Sequence, residues 1–275
     1  MRRLVLLALV LLVATSCSFS RNVRRSSNLM SYLYPNGAEA PPAGSDVALK
    51  LPLRLGIAFV PAGGVNSYGD AIAPADVERE MLDVLKKSFS GREWVSQIVT
   101  IPSTYLMPGG GFENLDQVAR MYNVDVIGLA SVDQIQSSDP GRLSFLYLSV
   151  VGAYTLPLDH NDTRTLIDVA VFHVPSRTFL LRAPGTSHVE GHSTAVEVGE
   201  TLREKSVKGL RLAMQDVTKN LDAEVNAFKA SVISGERKDV DIVTRSGESV
   251  RRSGAFTWLE AAIALLLVAA ILLRQ

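Results

Sequence analysis

Hydrophobic residues divide the chain into two apolar ends and a patterned middle. Residues 4–13 and 261–273 are uninterrupted apolar runs. Between them, apolar residues that cluster or alternate with a period of two predict strands at Leu53–Val60, Trp94–Ile101 and Val124–Ile135. Apolar residues spaced three or four apart predict helices at Pro74–Phe89 and Leu115–Tyr122. This strand-helix-strand-helix-strand order indicates an α/β fold.

The second half of the middle changes to consecutive strands and then one helix. Strands are predicted at Leu143–Leu156, Thr163–Val174 and Thr178–Ala183. The short Pro175-Ser176-Arg177 link predicts antiparallel pairing of the last two strands. From Ala195 to Ser234 the apolar positions predict a long helix that covers the sheet, with a kink near Gly209. We therefore predict a mixed-sheet α/β sandwich over residues 51–234.

The N-terminal apolar run has the features of a secretory signal peptide. Arg2 and Arg3 precede it, small residues from Ala14 to Ser16 follow it, and it is too short to span a bilayer stably. Cys17, the only cysteine, comes next, so no disulfide can form within the chain. This ending resembles the lipobox of bacterial lipoproteins. The alternative is ordinary cleavage that leaves an incidental, buried cysteine.

The lipobox resemblance implies a defined processing at Ser16 and Cys17. A diacylglyceryl group would be attached to the Cys17 thiol, the signal peptidase for lipoproteins would cleave between Ser16 and Cys17, and the new N-terminus would be acylated, typically with palmitate. Each buried methylene contributes about 0.8 kcal/mol, so several chains would anchor the protein firmly in membrane lipid. Ser18, in place of the aspartate that retains enteric lipoproteins in the inner membrane, favours the outer membrane of a bacterial cell envelope.

The C-terminal apolar run, extended back to Ala255, is long enough to be a transmembrane helix. Ala255–Leu273 has the required length, and Trp258 and Glu260 lie near its start, where an interface would be. The alternative is a buried C-terminal helix of the globular domain. Small residues that form helices poorly, Ser253, Gly254 and Ala255, precede the run and favour unwinding into a protease site.

A lipobox combined with such a tail resembles the rhombotarget lipoprotein family. That family carries a C-terminal sorting signal of the GlyGly-CTERM kind, and the stretch from Arg251 to Glu260 corresponds to it. The resemblance implies processing at Ser253, Gly254 or Ala255 by rhombosortase, a rhomboid-type intramembrane protease. This chain has one glycine where the signal usually has two, and one terminal arginine where it usually has several.

These features divide the precursor into five segments. They are a signal peptide (1–16), a lipidated N-terminus and tether (17–50), a globular domain (51–234), a polar linker (235–253) and a transmembrane sorting tail (254–275). The chain has 28 basic and 28 acidic residues, so no net positive charge attracts nucleic acid.

One cluster in the middle domain has the residue types of a metal site. His188, Glu190 and His192 would lie on one side of a strand, whereas in a helix the two histidines would share a face. The spacing lacks the His-Glu-x-x-His order of metalloproteases, and a solvated polar face is the favoured interpretation of the pattern. We expect no cofactor.

Two functions remain open at this stage. The first is a non-enzymatic envelope lipoprotein that binds an unknown envelope protein partner or assembles with it. The second is a metal-assisted envelope hydrolase that uses His188, Glu190 and His192. The first is favoured because processing signals flank a domain that has no recognisable catalytic motif.

Overall fold

Most of the middle of the chain is described by the structure. The computed structural model describes residues 20–37, 47–62, 73–141 and 154–244. The strands in these ranges are β1 (Arg21–Ser26), β2 (Val47–Leu51), β3 (Leu53–Phe59), β4 (Val95–Thr100), β5 (Val126–Pro140), β6 (Asp159–His173), β7 (Thr178–Ser193) and β8 (Val240–Thr244). The α-helices are α1 (Leu29–Leu33), α2 (Ala75–Phe89), α3 (Gly111–Tyr122) and α4 (Val198–Ser234).

The main sheet is mixed. Its order is β4-β3-β5-β6-β7, and β1 pairs with β5 in addition. Strand β3 is parallel to β4 and β5, whereas β5, β6 and β7 are successively antiparallel. Strand β3 borders the first half of β5, up to Ala130, and β1 borders the second half, from Asp133 to Ser138. The predicted α/β fold with a mixed sheet and a long C-terminal helix is confirmed.

Two apolar cores lie on opposite faces of the first half of this sheet. Helices α2 and α4 cover one face and bury Ile57, Val126 and Leu221, among others. Helix α3, together with α1, covers the opposite face and buries Ile127 and Leu115. Burial on both faces explains why β3 and the start of β5 are almost continuously apolar instead of alternating.

The helix ends follow local sequence signals. Helix α2 has Asp76 and Glu78 in its first turn and Lys86 and Lys87 in its last. Acidic side chains at the N-terminus and basic ones at the C-terminus interact favourably with the helix dipole and stabilise the helix. Helices α3 and α4 end at Asn123 and Gly235, both in the left-handed conformation.

Helix α4 protects the backbone of the edge strand β7. Asp216 accepts a hydrogen bond from the Thr186 amide at 3.1 Å, Asn220 donates to the Pro184 carbonyl at 2.7 Å, and Lys205 donates to the Glu190 carbonyl at 3.0 Å. Edge strands with unpaired backbone amide and carbonyl groups promote aggregation. The three α4 side chains form hydrogen bonds with such groups of β7.

Two glycines permit this close approach. A Cβ on Gly185 would lie 2.3 Å from the Ala213 carbonyl oxygen and 2.4 Å from the Val217 amide nitrogen. A Cβ on Gly209 would lie 2.7 Å from the Thr165 hydroxyl oxygen. Gly209 thus lies inside a continuous helix and lets it approach β6.

The predicted tether and linker are shorter than expected. Residues 21–26 form β1, and Tyr32 and Leu33 of α1 are buried, with the Tyr32 hydroxyl 3.1 Å from Asn114 Oδ1. Strands β2 and β8 pair in parallel, so Val47–Leu51 and Val240–Thr244 also belong to the folded domain. The predicted tether and linker are polar in overall composition, but each contains a short segment whose apolar residues pack against the domain.

Two strands of the main sheet are longer than predicted. Strand β7 continues to Ser193 rather than ending at Ala183, and β5 continues to Pro140. The strand predicted at Leu143–Leu156 falls mostly outside the described ranges. Within those ranges no helix is both long and apolar enough to cross a bilayer. Residues 254–275, on which the transmembrane prediction rests, are outside them, as are the signal peptide, Ser16 and Cys17.

Candidate functional site

The second half of the sheet has one face that no described element covers. Strands β5, β6 and β7 extend beyond α3 here, and the side chains that would continue its core are polar or exposed. We call this surface the open half-face. It consists of Asp133, Ile135, His160, Asp162, Arg164, Leu166, Thr186, His188, Glu190 and His192.

The register of β6 and β7 brings the three residues of the sequence-predicted cluster next to a second set. His192 lies opposite His160, Glu190 opposite Asp162, and His188 opposite Arg164. The alternation of a strand therefore places His188, Glu190 and His192 on one side, as expected. Sequence inspection missed the β6 partners, because only strand pairing brings residues so distant in sequence together.

His188 is the centre of the polar contacts in this cluster. Its Nε2 lies 2.9 Å from Asp162 Oδ1 and 3.4 Å from Glu190 Oε1. Both are charge contacts when the imidazole is protonated. Asp162 also pairs with Arg164 at 3.1 Å. His160 and His192 stack edge to face, with their ring centroids 5.3 Å apart.

The charged groups of this cluster are placed against one another. Among the described residues, no group of three His, Cys, Asp or Glu side chains is placed to hold a metal ion. Instead, the carboxylates contact His188 and Arg164. Ile135 and Leu166, 45% and 37% exposed, lie between these charges. In protein-binding surfaces an apolar centre is surrounded by a polar rim.

The reverse side of the open half-face is a buried polar layer under α4. The Gln134 side-chain amide nitrogen donates to the Thr165 hydroxyl at 2.8 Å and to the Ser206 carbonyl at 3.1 Å, and its oxygen accepts from the Ser206 hydroxyl. Gln136 donates to the Leu202 carbonyl at 2.6 Å. These contacts attach α4 to the strands that carry the open half-face.

One further titratable side chain is buried near the opposite end of β6. His173 is 8% exposed, and its Nδ1 lies 2.6 Å from the Ser176 hydroxyl oxygen. Burial is the main cause that lowers the pKa of His173; the Lys50 charge also lowers it, whereas Asp125 raises it.

This lowered pKa predicts acid sensitivity. Below the ordinary histidine pKa of about 6.5, the unfolded chain takes up a proton that the folded chain resists. We therefore expect the free energy of unfolding to fall as the pH drops from about 6.5 towards the folded pKa, by at most about 1.4 kcal/mol per pH unit.

Thermal midpoints of the full-length protein between pH 5 and 8 test this expectation. His173→Gln should flatten the acid limb of the curve. An equally steep acid limb in the variant would contradict the assignment to His173.

Comparisons with known proteins leave function open. No protein-family model and no curated protein sequence matches the chain. A solved PelC dodecamer from Paraburkholderia phytofirmans is 7% identical, with a TM-score of 0.28, over 73% of this chain and 98% of that one. A homolog of neuraminyllactose-binding hemagglutinin from Helicobacter pylori is 11% identical, with a TM-score of 0.36, over 72% and 97%. Likenesses this distant support no inference about function.

Proposed function

We propose that the protein is a non-enzymatic lipoprotein of the bacterial cell envelope that binds a partner protein through the open half-face. The observation that carries the proposal is this exposed sheet surface, on which Ile135 and Leu166 lie between charged side chains. A sheet face normally has to bury its apolar side chains against another layer. A partner protein would supply that layer here.

The proposed location depends on the two ends of the precursor. Lipid attached at Cys17 would anchor the domain in the outer membrane, only three residues before the described domain begins at Ser20. A rhomboid-type sorting protease would remove the C-terminal tail near Ser253, Gly254 and Ala255. If both steps occur, Cys17 is the lasting anchor.

Intact-mass measurement of the protein from native membranes tests the processing. We expect a mass that corresponds to a chain starting at a lipidated Cys17 and lacking the residues after the 253–255 region. Cys17→Ala should leave the signal peptide uncleaved by the lipoprotein peptidase and abolish acyl addition. An unmodified N-terminus would refute the lipid anchor, and a chain that still ends in Arg274-Gln275 would refute the sorting step.

Photo-crosslinking in cells tests the binding surface. A photoreactive amino acid at Leu166 should give one defined protein adduct, whereas the same amino acid at Leu212, a leucine 39% exposed on α4, should give none. Arg164→Glu should reduce the Leu166 adduct several-fold, because it reverses a charge beside Leu166 on the same face.

Two outcomes would count against this surface. Equal adducts from both positions, or none from Leu166, would contradict it. Stoichiometric zinc in the purified full-length protein, lost in His188→Ala and His192→Ala, would instead favour the metal-assisted hydrolase.

A further inference from the structure

A second candidate site lies at the opposite end of the domain from the open half-face. The β2–β8 ribbon, the start of β3 and the C-terminal half of α4 line a partly open cavity of about 110 Å³. Leu49, Ile242, Val225, Phe228 and Trp94 are among its lining residues, and the lining surface is apolar throughout.

The size and chemistry of this cavity determine what it can hold. A cavity without polar partners does not hold ordered water, and an apolar cavity of about 150 Å³ is known to bind benzene. On the same scale, 110 Å³ accommodates about four or five carbon atoms. Protein cores are otherwise packed with few voids of this size. The cavity is therefore suited to a short length of hydrocarbon.

A cation is placed among the residues that line the cavity. Lys229 of α4 is an exposed side chain whose Nζ lies 5.3 Å from the centroid of the Trp94 ring. Arg92 lies over the same ring, 5.7 Å away, but it is paired with Asp222. Lys229 forms no ion pair with any described residue. An anionic group at the cavity mouth could therefore bind Lys229 without displacing a carboxylate.

We propose that the cavity binds the alkyl chain of a fatty acid, with the carboxylate at Lys229. The methylenes near the chain end occupy the space between Leu49, Val225 and Ile242. Burial of each methylene stabilises the complex. The charge-assisted contact between the carboxylate and Lys229 makes the site prefer a fatty acid over a neutral hydrocarbon. The site uses described residues alone, so it is independent of Cys17 lipidation, tail cleavage and the open half-face.

Photoaffinity labelling of the full-length protein tests the site. The carboxylate probe is hexanoic acid with a diazirine near its methyl end, and the neutral probe is the matching alcohol. Both are added to a lysate desalted to remove ATP and coenzyme A, so that neither probe enters lipid synthesis. Peptide mapping should place the label on residues that line the cavity, in β2, β8, the start of β3, Trp94 or the C-terminal half of α4.

Substitutions on α4 separate the head-group contact from the cavity. Lys229→Gln should lower labelling by the carboxylate probe at least about fivefold and leave labelling by the alcohol unchanged, as expected when a charge-assisted contact is lost. Lys219→Gln, a matched change at an exposed lysine of the same helix, should alter neither. Val225→Phe should fill the cavity and reduce labelling by both probes.

The outcomes that overturn the proposal are specific. They are a label that maps away from the residues lining the cavity, or equal labelling of the parent and Lys229→Gln by the carboxylate probe. Because Lys229 is an exposed residue, its substitution leaves the core intact, and the result remains interpretable even if Val225→Phe fails to fold.

Discussion

Gly185→Ala should lower the free energy of unfolding by about 3 kcal/mol, because the added methyl group has no space. The new Cβ would lie 2.3 Å from one backbone atom of α4 and 2.4 Å from another. Backbone atoms cannot rotate away as a flexible side chain can. The helix must therefore shift off β7, which disturbs the buried contacts of Ala213 and Val217.

This prediction can be measured on the intact protein by thermal aggregation in a lysate. For a domain of this size the midpoint should fall by about 6–12 °C. Gly199→Ala is the matched control, since a Cβ there meets nothing within 4 Å and lies in the first turns of α4. It should be neutral or raise stability slightly, because alanine favours helix. Equal midpoints for the two variants would show that α4 does not approach β7 so closely.

Gln134→Ala should have the second largest effect, a loss of about 2–4 kcal/mol. The substitution removes partners from Thr165 and Ser206, which are 3% and 6% exposed, and also leaves a void under α4. Buried polar groups without partners are costly because they have given up their hydrogen bonds to water. Gln97→Ala, an exposed glutamine on β4, should change stability by no more than about 0.5 kcal/mol.

A combined variant distinguishes the polar contacts from simple packing. Gln134→Leu together with Thr165→Val and Ser206→Ala replaces all three polar side chains with apolar ones, so no side-chain hydroxyl is left unpaired. It should recover most of the stability lost in Gln134→Ala, as measured by the same thermal midpoint. A further loss would mean that packing, rather than hydrogen bonding, dominates at this position.

The bounds of the helices were predicted from the sequence more accurately than those of the longest strands. Helices α2 and α4 were predicted to within a few residues, because each has an apolar stripe at helical spacing and clear end signals. Strand β7 was predicted too short, since Pro184 and Gly185 interrupt the pattern of apolar residues. In the structure Pro184 lies on an edge strand, where proline is tolerated, and Gly185 permits the contact with α4.

The candidate site could also be predicted only in part from the sequence. The placement of His188, Glu190 and His192 on one side follows from the two-residue period of a strand. Their neighbours His160, Asp162 and Arg164 could not be inferred, because a shift of one residue in the β6–β7 register would present the other face. The cavity beside Lys229 could not be inferred either, because its wall joins β2 to α4 and β8, which lie about 150 residues or more further along the chain.

By itself, the sequence determined the α/β class and the long covering helix, and it predicts processing at Cys17 and at the C-terminal tail. These features depend on residues close together in the chain, through hydrophobic period, capping or a short motif. Tertiary structure alone decided that residues 21–26 join the sheet, that no described element covers half of one sheet face, and that an apolar cavity lies next to Lys229. Each of these depends on contacts between distant segments, whose register and packing no local pattern encodes.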